Sequence, residues 1–280
     1  MLKQRIYTAI TMLLVLLPAL FHPDIRILAS LAAVLIGAAV WEWTSLNGHG
    51  QGTAVICGLL AVLICGILYF FNLIAALSPV FWLFAGSFWV FFGAFLLHGG
   101  PGRWRQIDQR LKSLFGFAIL ITAWMAFYQA KFTGTTYLLS ILLTVWVADI
   151  SAYFAGRHWG SRKLAPLISP GKSWEGVLGG MAGVIILAIC WLSLDSQYPV
   201  LQDGLFEKLL AHGWLLFFLS VLFLTLMSVV GDLVESLIKR SAGAKDSSQL
   251  LPGHGGVLDR LDALLPVLPL AIMLSQIGSS

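Results

Sequence analysis

Apolar residues in this chain come in long, unbroken runs. Nine runs are long enough to span a membrane, at about residues 6–21, 25–46, 52–71, 79–97, 113–130, 135–156, 175–194, 213–238 and 257–277. A bilayer core of about 30 Å takes roughly 20 helical residues. Strands of a membrane barrel would alternate apolar and polar positions instead. Short breaks such as "NGHGQG" at 47–52 separate several of the runs. The pattern predicts an all-α integral membrane protein of about nine transmembrane helices. Composition agrees, because only 11% of the 280 residues are charged and 59% are hydrophobic. A soluble chain carries about 25% charged residues. The opening "MLKQRIYTAITMLLVLLPALF" has the basic start and apolar stretch of a signal peptide but no A-x-A-like cleavage site. It reads as an uncleaved first span.

Charge then orients the spans. With the N-terminus in the cytosol, the cytosolic segments hold Lys3, Arg5, Arg103, Arg105, Arg110, Lys112, Arg157, Arg162, Lys163, Lys172, Lys239, Arg240, Lys245 and Arg260, which is 14 of 17 Lys and Arg. The other side holds Arg26, Lys131 and Lys208. This bias follows the positive-inside rule and predicts a C-terminus on the outside. Asp108, Glu175, Glu235 and most of the glycine-rich polar sequence fall on the same cytosolic face. Chemistry is therefore expected there. Residues 1–130 read as a scaffold and dimerisation region, and 131–280 as the catalytic region.

Some charges cannot avoid the membrane boundary. From Thr135 to Ala148 there are 14 uncharged residues, about 21 Å of helix, so Asp149 must enter the boundary. An Asp at mid-helix costs about 2.5–3.5 kcal/mol on insertion scales, less near the interface, and function is the default reason to accept it. The last run has 15 uncharged residues, Ala263–Ile277, about 22 Å, which leaves Asp259, Arg260 and Asp262 at or below the interface. In the eighth run, Asp232, Ser236, Lys239 and Arg240 stand at i, i+4, i+7 and i+8, one stripe of a helix. The next loop is rich in glycine. Gly243, Gly253, Gly255 and Gly256 permit positive φ and close approach of the backbone, which suits anion-binding nests. Lys239, Arg240, Lys245 and Arg260 suit phosphate oxygens. Asp232, Asp246, Asp259 and Asp262 are hard oxygen ligands of the kind Mg²⁺ takes. A phosphate cradle with magnesium carboxylates at a membrane surface suggests a nucleotide or pyrophosphate reaction on a lipid.

Other features are bland. "GKS" at 171–173 is no P-loop, because Pro166 stands where the first glycine is required. The six histidines have no metal-ligand spacing. Cys57, Cys65 and Cys190 read as small packing residues in apolar runs. Gly156/Gly160 and Gly176/Gly180 have the spacing of close helix packing. Trp41, Trp43, Trp104 and Trp159 near run ends are expected at headgroup level. The basic "RWRQIDQRLK" at 103–112 reads as a topology determinant, with attraction of anionic lipid as the alternative.

From Ser236 to Asp262 the chain reads "SLIKRSAGAKDSSQLLPGHGGVLDRLD". This resembles the signature of the phosphatidate cytidylyltransferase family, at Ser236, Lys239, Arg240, Lys245, Asp246, His254, Gly255, Gly256, Asp259, Arg260 and Asp262. "ADISAYFAGRHWG" (148–160) and "SPGKSWEG" (169–176) are similar to the family's other cytosol-facing segments. The resemblance implies transfer of CMP from CTP to phosphatidate, magnesium dependence and a homodimer in a bacterial inner membrane. It leaves open a second, monovalent ion, and implies no nucleic-acid partner. On this reading Asp232 and Asp259 hold the metal, with Asp262 and Asp246 as weaker ligands. Lys239, Arg240, Lys245 and Arg260 neutralise substrate phosphates, with Asp246 placed beside them in the catalytic set. Ser169, Lys172, Ser173, Ser236, His254, Gly255, Gly256 and Asp149 contact substrate or support the metal shell. A transporter using Asp149, Asp232 and Asp259 as ion sites is the main rival, and it would need charges on a path reaching both faces.

Overall fold

The structure is a computed structural model describing residues 2–195 and 197–276, without the side chains of residues 2–6 and 9. Lys3 and Arg5 as charges, and the end of the ninth expected span at Ile277, therefore lie outside the described residues. The helices are α1 (Leu2–Phe21), α2 (Ile25–Leu46), α3 (Gln51–Phe70), α4 (Pro79–Gln106), α5 (Gln109–Thr133), α6 (Thr135–Trp159), α7 (Trp174–Asp195), α8 (Leu205–Leu210), α9 (Trp214–Ser241), α10 (Leu258–Leu261) and α11 (Leu264–Ser275). Between α6 and α7 stands a hairpin of β1 (Lys163–Ala165) and β2 (Ser169–Ser173), antiparallel, pairing Lys163 with Ser173 and Ala165 with Ser169. The all-α expectation misses this small sheet, whose sequence carries no alternating apolar signal.

Seven helices, α2 to α7 and α9, are long and apolar enough to cross a membrane. They coincide with seven of the nine runs. The two outer runs differ. In α1 the apolar helical stretch is Ile10–Phe21. The last run is broken into α10 and the 12-residue α11. The break at Asp262–Ala263 puts Pro266 in the first turn of α11, where its missing N–H removes no helical bond. Leu264 to Ile272 are buried without exception, so α11 is a core element wrapped by α4, α5 and α9. Large apolar residues such as Leu59 and Leu63 on α3 or Phe84 and Phe91 on α4 are left exposed on the outside of the bundle.

Small residues set the helix contacts. A Cβ added at Gly180 of α7 would stand 3.0 Å from the Ala148 carbonyl oxygen of α6, and one at Gly179 would stand 2.2 Å from Ala155 Cβ. Gly37 and Gly58 bring α2 and α3 equally close, with an added Cβ at Gly58 only 2.7 Å from the Gly37 carbonyl oxygen. Helix α4 bends at Gly100, whose φ of 64° precedes Pro101. Asp108 caps α5 by accepting from Arg110 N at 2.8 Å.

Two expectations about side chains need correction. Trp43 and Trp104 are each 1% exposed and pack edge to face inside the protein, so neither meets headgroups. Their indole N–H groups donate to Lys112 O at 2.8 Å and Asn47 Oδ1 at 2.9 Å, fixing the loops at one end of the bundle. Cys65 is buried, but Cys190 is exposed on α7 and fills no interior gap. At the opposite end the buried Lys131 donates to Leu20 O and Thr135 Oγ1, each at 2.6 Å, joining the end of α1 to the α5–α6 corner.

Gly180→Val is expected to lower the thermal midpoint of detergent-purified protein by several degrees or to prevent folding. Gly52→Ala, whose added methyl meets nothing within 4 Å, leaves it unchanged. A Gly180→Val protein that melts with the wild type would refute the close α6–α7 contact.

Candidate active site

One end of the bundle collects the polar sequence. It is built from the C-terminal ends of α2, α4 and α9, the hairpin, the start of α7, loop 242–257 and α10. Helix α9 stops because Gly243 turns left-handed at φ 70°, letting Ala244 N return to Lys239 O at 2.9 Å. Arg105 covers the carbonyls left over there, donating to Ser241 O at 3.0 Å and Arg240 O at 3.3 Å. Lys112 in turn donates to Arg105 O at 3.3 Å. The basic segment 103–112 thus has structural duties. An open cleft of about 560 Å³ lies between it and the loop, lined by Ser45, Asn47, Arg105, Lys112, Ser241 and Ser247.

The loop is a closed excursion. Leu251 pairs with Gly255 across a turn at Pro252–His254. Gly253 and Gly255 take φ of 78° and 81°. Arg260 donates to His254 O at 2.7 Å. Two acids hold its ends together. Asp259 Oδ2 accepts from Ser247 N at 2.9 Å and Gly256 N at 2.7 Å. The second acid is Glu42 of α2, fully buried. Its Oε1 accepts from Val257 N at 2.9 Å and Ser248 Oγ at 2.6 Å, and its Oε2 from Leu258 N at 2.7 Å. The Ser247 hydroxyl lies 3.0 Å from Glu42 Oε2 and 2.9 Å from Asp259 Oδ2, bridging the two carboxyl groups. Glycine is required between them. A Cβ on Gly256 would stand 2.0 Å from Ser247 Oγ and 2.4 Å from Glu42 Oε1.

Glu42 escaped the reading of the sequence. Its signal was present all the same: it is the sole charged residue between Ile27 and Asn47, in a run taken as a span. Like Asp149, it is an acid in an apolar run, where function is the default reason for a charge.

The basic and acidic residues pair across elements. Lys172 of β2 reaches Asp232 Oδ2 of α9 at 2.6 Å, and Ser236 donates to Asp232 Oδ1 at 3.2 Å. Asp149 and Asp262 both feel the charges of Asp232 and Lys172. Gly231 lets α9 approach this junction, since an added Cβ would stand 2.3 Å from Asp262 O. Deeper in, Lys239 pairs with Asp259 Oδ1 at 2.5 Å and with Glu235. Burial opposes ionisation of Asp259, but the donors around it, Lys239 and the Gly256 and Ser247 N–H groups among them, hold its carboxyl well below the usual carboxylate range. Arg240 donates to Ile168 O at 3.3 Å and Ala244 O at 3.2 Å, tying hairpin to loop. Glu175 closes the base of the hairpin through Arg162 and Ser161.

The expected residues therefore divide. Lys172, Asp232, Ser236, Lys239, Asp259 and Asp262 come together, with Asp149 in electrostatic range. Lys245 and Asp246 are exposed on the loop. Ser169 is half-buried where β2 begins. Ser173 faces inward, 4% exposed, and its hydroxyl accepts from Gly176 N at 3.2 Å, so it caps α7. His254 serves through its backbone, while its Nδ1 is buried without a hydrogen-bond partner. Asp232 and Asp259 each face a different lysine. Among the described residues no group of three or more His, Cys, Asp or Glu is placed to cage a metal. Magnesium is commonly held by one or two carboxylates plus substrate phosphates. Asp232, with Asp262 beside it, supplies hard oxygens of that kind, and an ammonium already sits against Asp232. The donor chemistry fits such an ion.

The cytidylyltransferase family model matches residues 3–277. The chain belongs to that family. It is 36% identical to a phosphatidate cytidylyltransferase of Pseudomonas aeruginosa over 276 residues, covering 96% of this chain and 95% of the relative. A phosphatidate cytidylyltransferase of Haemophilus influenzae is 35% identical, with 96% of each chain covered. One from Staphylococcus epidermidis is 36% identical over 157 residues, 56% of this chain and 55% of its own.

Lys239→Met leaves Asp259 and Glu235 together without their cation. It is expected to destabilise the fold by about 3–5 kcal/mol, the usual result of breaking a buried pair. Adding Glu235→Gln should recover part of that loss in denaturant titration. A single mutant as stable as wild type would refute the pairing.

Proposed function

We propose that this family member is a CTP:phosphatidate cytidylyltransferase, which transfers CMP from CTP to phosphatidate and releases pyrophosphate. Full-length relatives carry that name. The observation that carries the reading is the one-ended array of Lys172, Lys239, Arg240, Lys245 and Arg260 around Asp232, Asp259 and Asp262, at the mouth of a membrane bundle. A transporter path reaching both ends finds no support in charges gathered at one. We take that end as cytosolic because 14 of the 17 Lys and Arg fall on the corresponding segments.

The phosphate of phosphatidate has a second pKa near 6 and is largely dianionic at pH 7. Its oxygen needs no general base to attack the α-phosphorus of CTP. A bond forms from that oxygen to the α-phosphorus, and the bond to the bridging α–β oxygen breaks. Pyrophosphate leaves with the electron pair. The chain's task is to bring two polyanions together and neutralise the charge that develops on the leaving group. Lys172, Lys245 and Arg260, at the rim, take phosphate oxygens. Lys239 and Arg240 hold the loop against α9 and the hairpin and lend the site positive charge. Asp232 and Asp262 are the carboxylates that would hold Mg²⁺, which would supply charge neutralisation at the triphosphate. Asp259, which the sequence suggests as a ligand, spends its oxygens on Lys239, Ser247 and Gly256. It would join the metal shell only by giving up Lys239.

Purified protein in detergent, given radiolabelled CTP and phosphatidate, is expected to form CDP-diacylglycerol with magnesium and not with EDTA. Folded protein that forms none under either condition would refute the function. Asp232→Asn is expected to lose activity on the order of 10²–10³-fold, the scale on which transition-state charge stabilisation is lost. Turnover within a few fold of wild type, with an unchanged magnesium response, would remove Asp232 from the site.

A further inference from the structure

We infer that Glu42, near the C-terminal end of α2, is a positioning residue for catalysis: its buried carboxylate clamps both ends of loop 247–258 and so sets where Asp259 and Arg260 stand. The inference rests on the function proposed above.

The geometry is specific to a carboxylate. Glu42 Oε1 accepts the backbone N–H of Val257 and Oε2 accepts that of Leu258. A backbone N–H cannot reverse its polarity, whereas a hydroxyl can. Glutamine is nearly the same shape, but either orientation of its amide would turn an NH₂ group against one of these donors. One buried N–H would be left unmatched in a water-free site, where lost hydrogen bonds cost most. Aspartate keeps both acceptors and loses only reach.

The clamp leads directly to the chemistry. Ser248 and Ser247 approach Glu42 at the beginning of the excursion, and Val257 and Leu258 bind it at the end. Asp259 follows Leu258, pairs with Lys239 and shares the Ser247 hydroxyl with Glu42. Opening the clamp leaves Ser247 and the Asp259–Arg260 segment held only by the Asp259 contacts, and loosens them together. Gly256 fits only because it has no Cβ where the Glu42 oxygen lies. None of the hydrogen bonds to the Glu42 carboxylate comes from the hairpin or α6. With the CTP phosphates assigned to Lys245 and Arg260 of this segment, loss of Glu42 should disturb CTP more than the lipid substrate.

The experiment compares wild type, Glu42→Gln, Glu42→Asp and Ser247→Ala/Ser248→Ala in detergent-purified full-length protein. Steady-state kinetics are run for each substrate, and amide hydrogen exchange is followed at Val257 and Leu258. For Glu42→Gln we expect kcat/KM for CTP to fall about 10- to 100-fold, the scale of one unmatched buried group. The KM for CTP should rise, the KM for phosphatidate should stay within a few fold, and exchange at 257–258 should speed up. Glu42→Asp should keep more activity than Glu42→Gln. The double serine variant leaves α2 intact and should shift the CTP KM in the same direction, so it decides the matter if Glu42→Gln fails to fold. Wild-type exchange and kinetics in Glu42→Gln, or in the serine pair if that one must stand in, would overturn the proposal. So would a fall in kcat with both KM values unchanged, which marks mere loss of folded protein. If wild type forms no CDP-diacylglycerol, the function reading fails, and the exchange arm still decides the clamp.

Discussion

A carboxylate shut away from water must find its hydrogen bonds in the protein, and Glu42 finds all of its partners in one loop more than 200 residues away in sequence. That requirement organises the functional end of the molecule. An uncompensated acid inside a helix bundle would be very costly. The loop that compensates it cannot wander. Gly256, the bridging Ser247 and the N–H groups of Val257 and Leu258 are what the carboxylate needs around it. The loop's composition is thus explained first by an acid in α2 and only then by any substrate.

The same rule runs through the rest of the site. Lys172 meets Asp232, Lys239 meets Asp259 and Glu235, Arg105 meets the carbonyls ending α9, and Glu175 meets Arg162. Apart from Lys239–Glu235, one turn apart within α9, each pairing joins two segments that are distant in the chain or separated by a turn. In a bundle whose outer face is apolar, lipid offers charges no partners. They gather where helices end and satisfy one another. Positive and negative groups are therefore concentrated and partly desolvated at that end.

Helix packing makes that gathering possible. Glycines in α6 and α7 let the backbones meet at nearly van der Waals distance, so Asp149 and the hairpin come close to α9. Gly231 does the same where α9 meets the start of α11. The buried α11 takes the place of a final lipid-facing span, and α4, α5 and α9 wrap it. The stretch expected to act as an N-terminal scaffold therefore shares one interior with the stretch expected to be catalytic.

Much was legible in the sequence. Of the nine spans read from run length, seven are helices long and apolar enough to cross a membrane, since bilayer thickness fixes the number of apolar residues a span needs. The glycine-rich, charge-dense segment from Ser236 to Asp262 pointed to the end of the bundle where charged residues gather, because such residues find no partners along an apolar run. Gly156, Gly176 and Gly180 announced close packing by spacing alone. Pairing was not legible. Periodicity placed Asp232 on a stripe with Lys239, but the stripe could not say that Asp232 would face Lys172 or that Asp259 would face Lys239. Trp43 and Trp104 looked like headgroup anchors until α4 and α5 covered them. Glu42 looked like one polar letter in a hydrophobic word. Local pattern fixes which residues share a helix face, over a few turns of chain. Which carboxylate meets which donor depends on helices far apart in sequence coming into register, and only the folded bundle decides that.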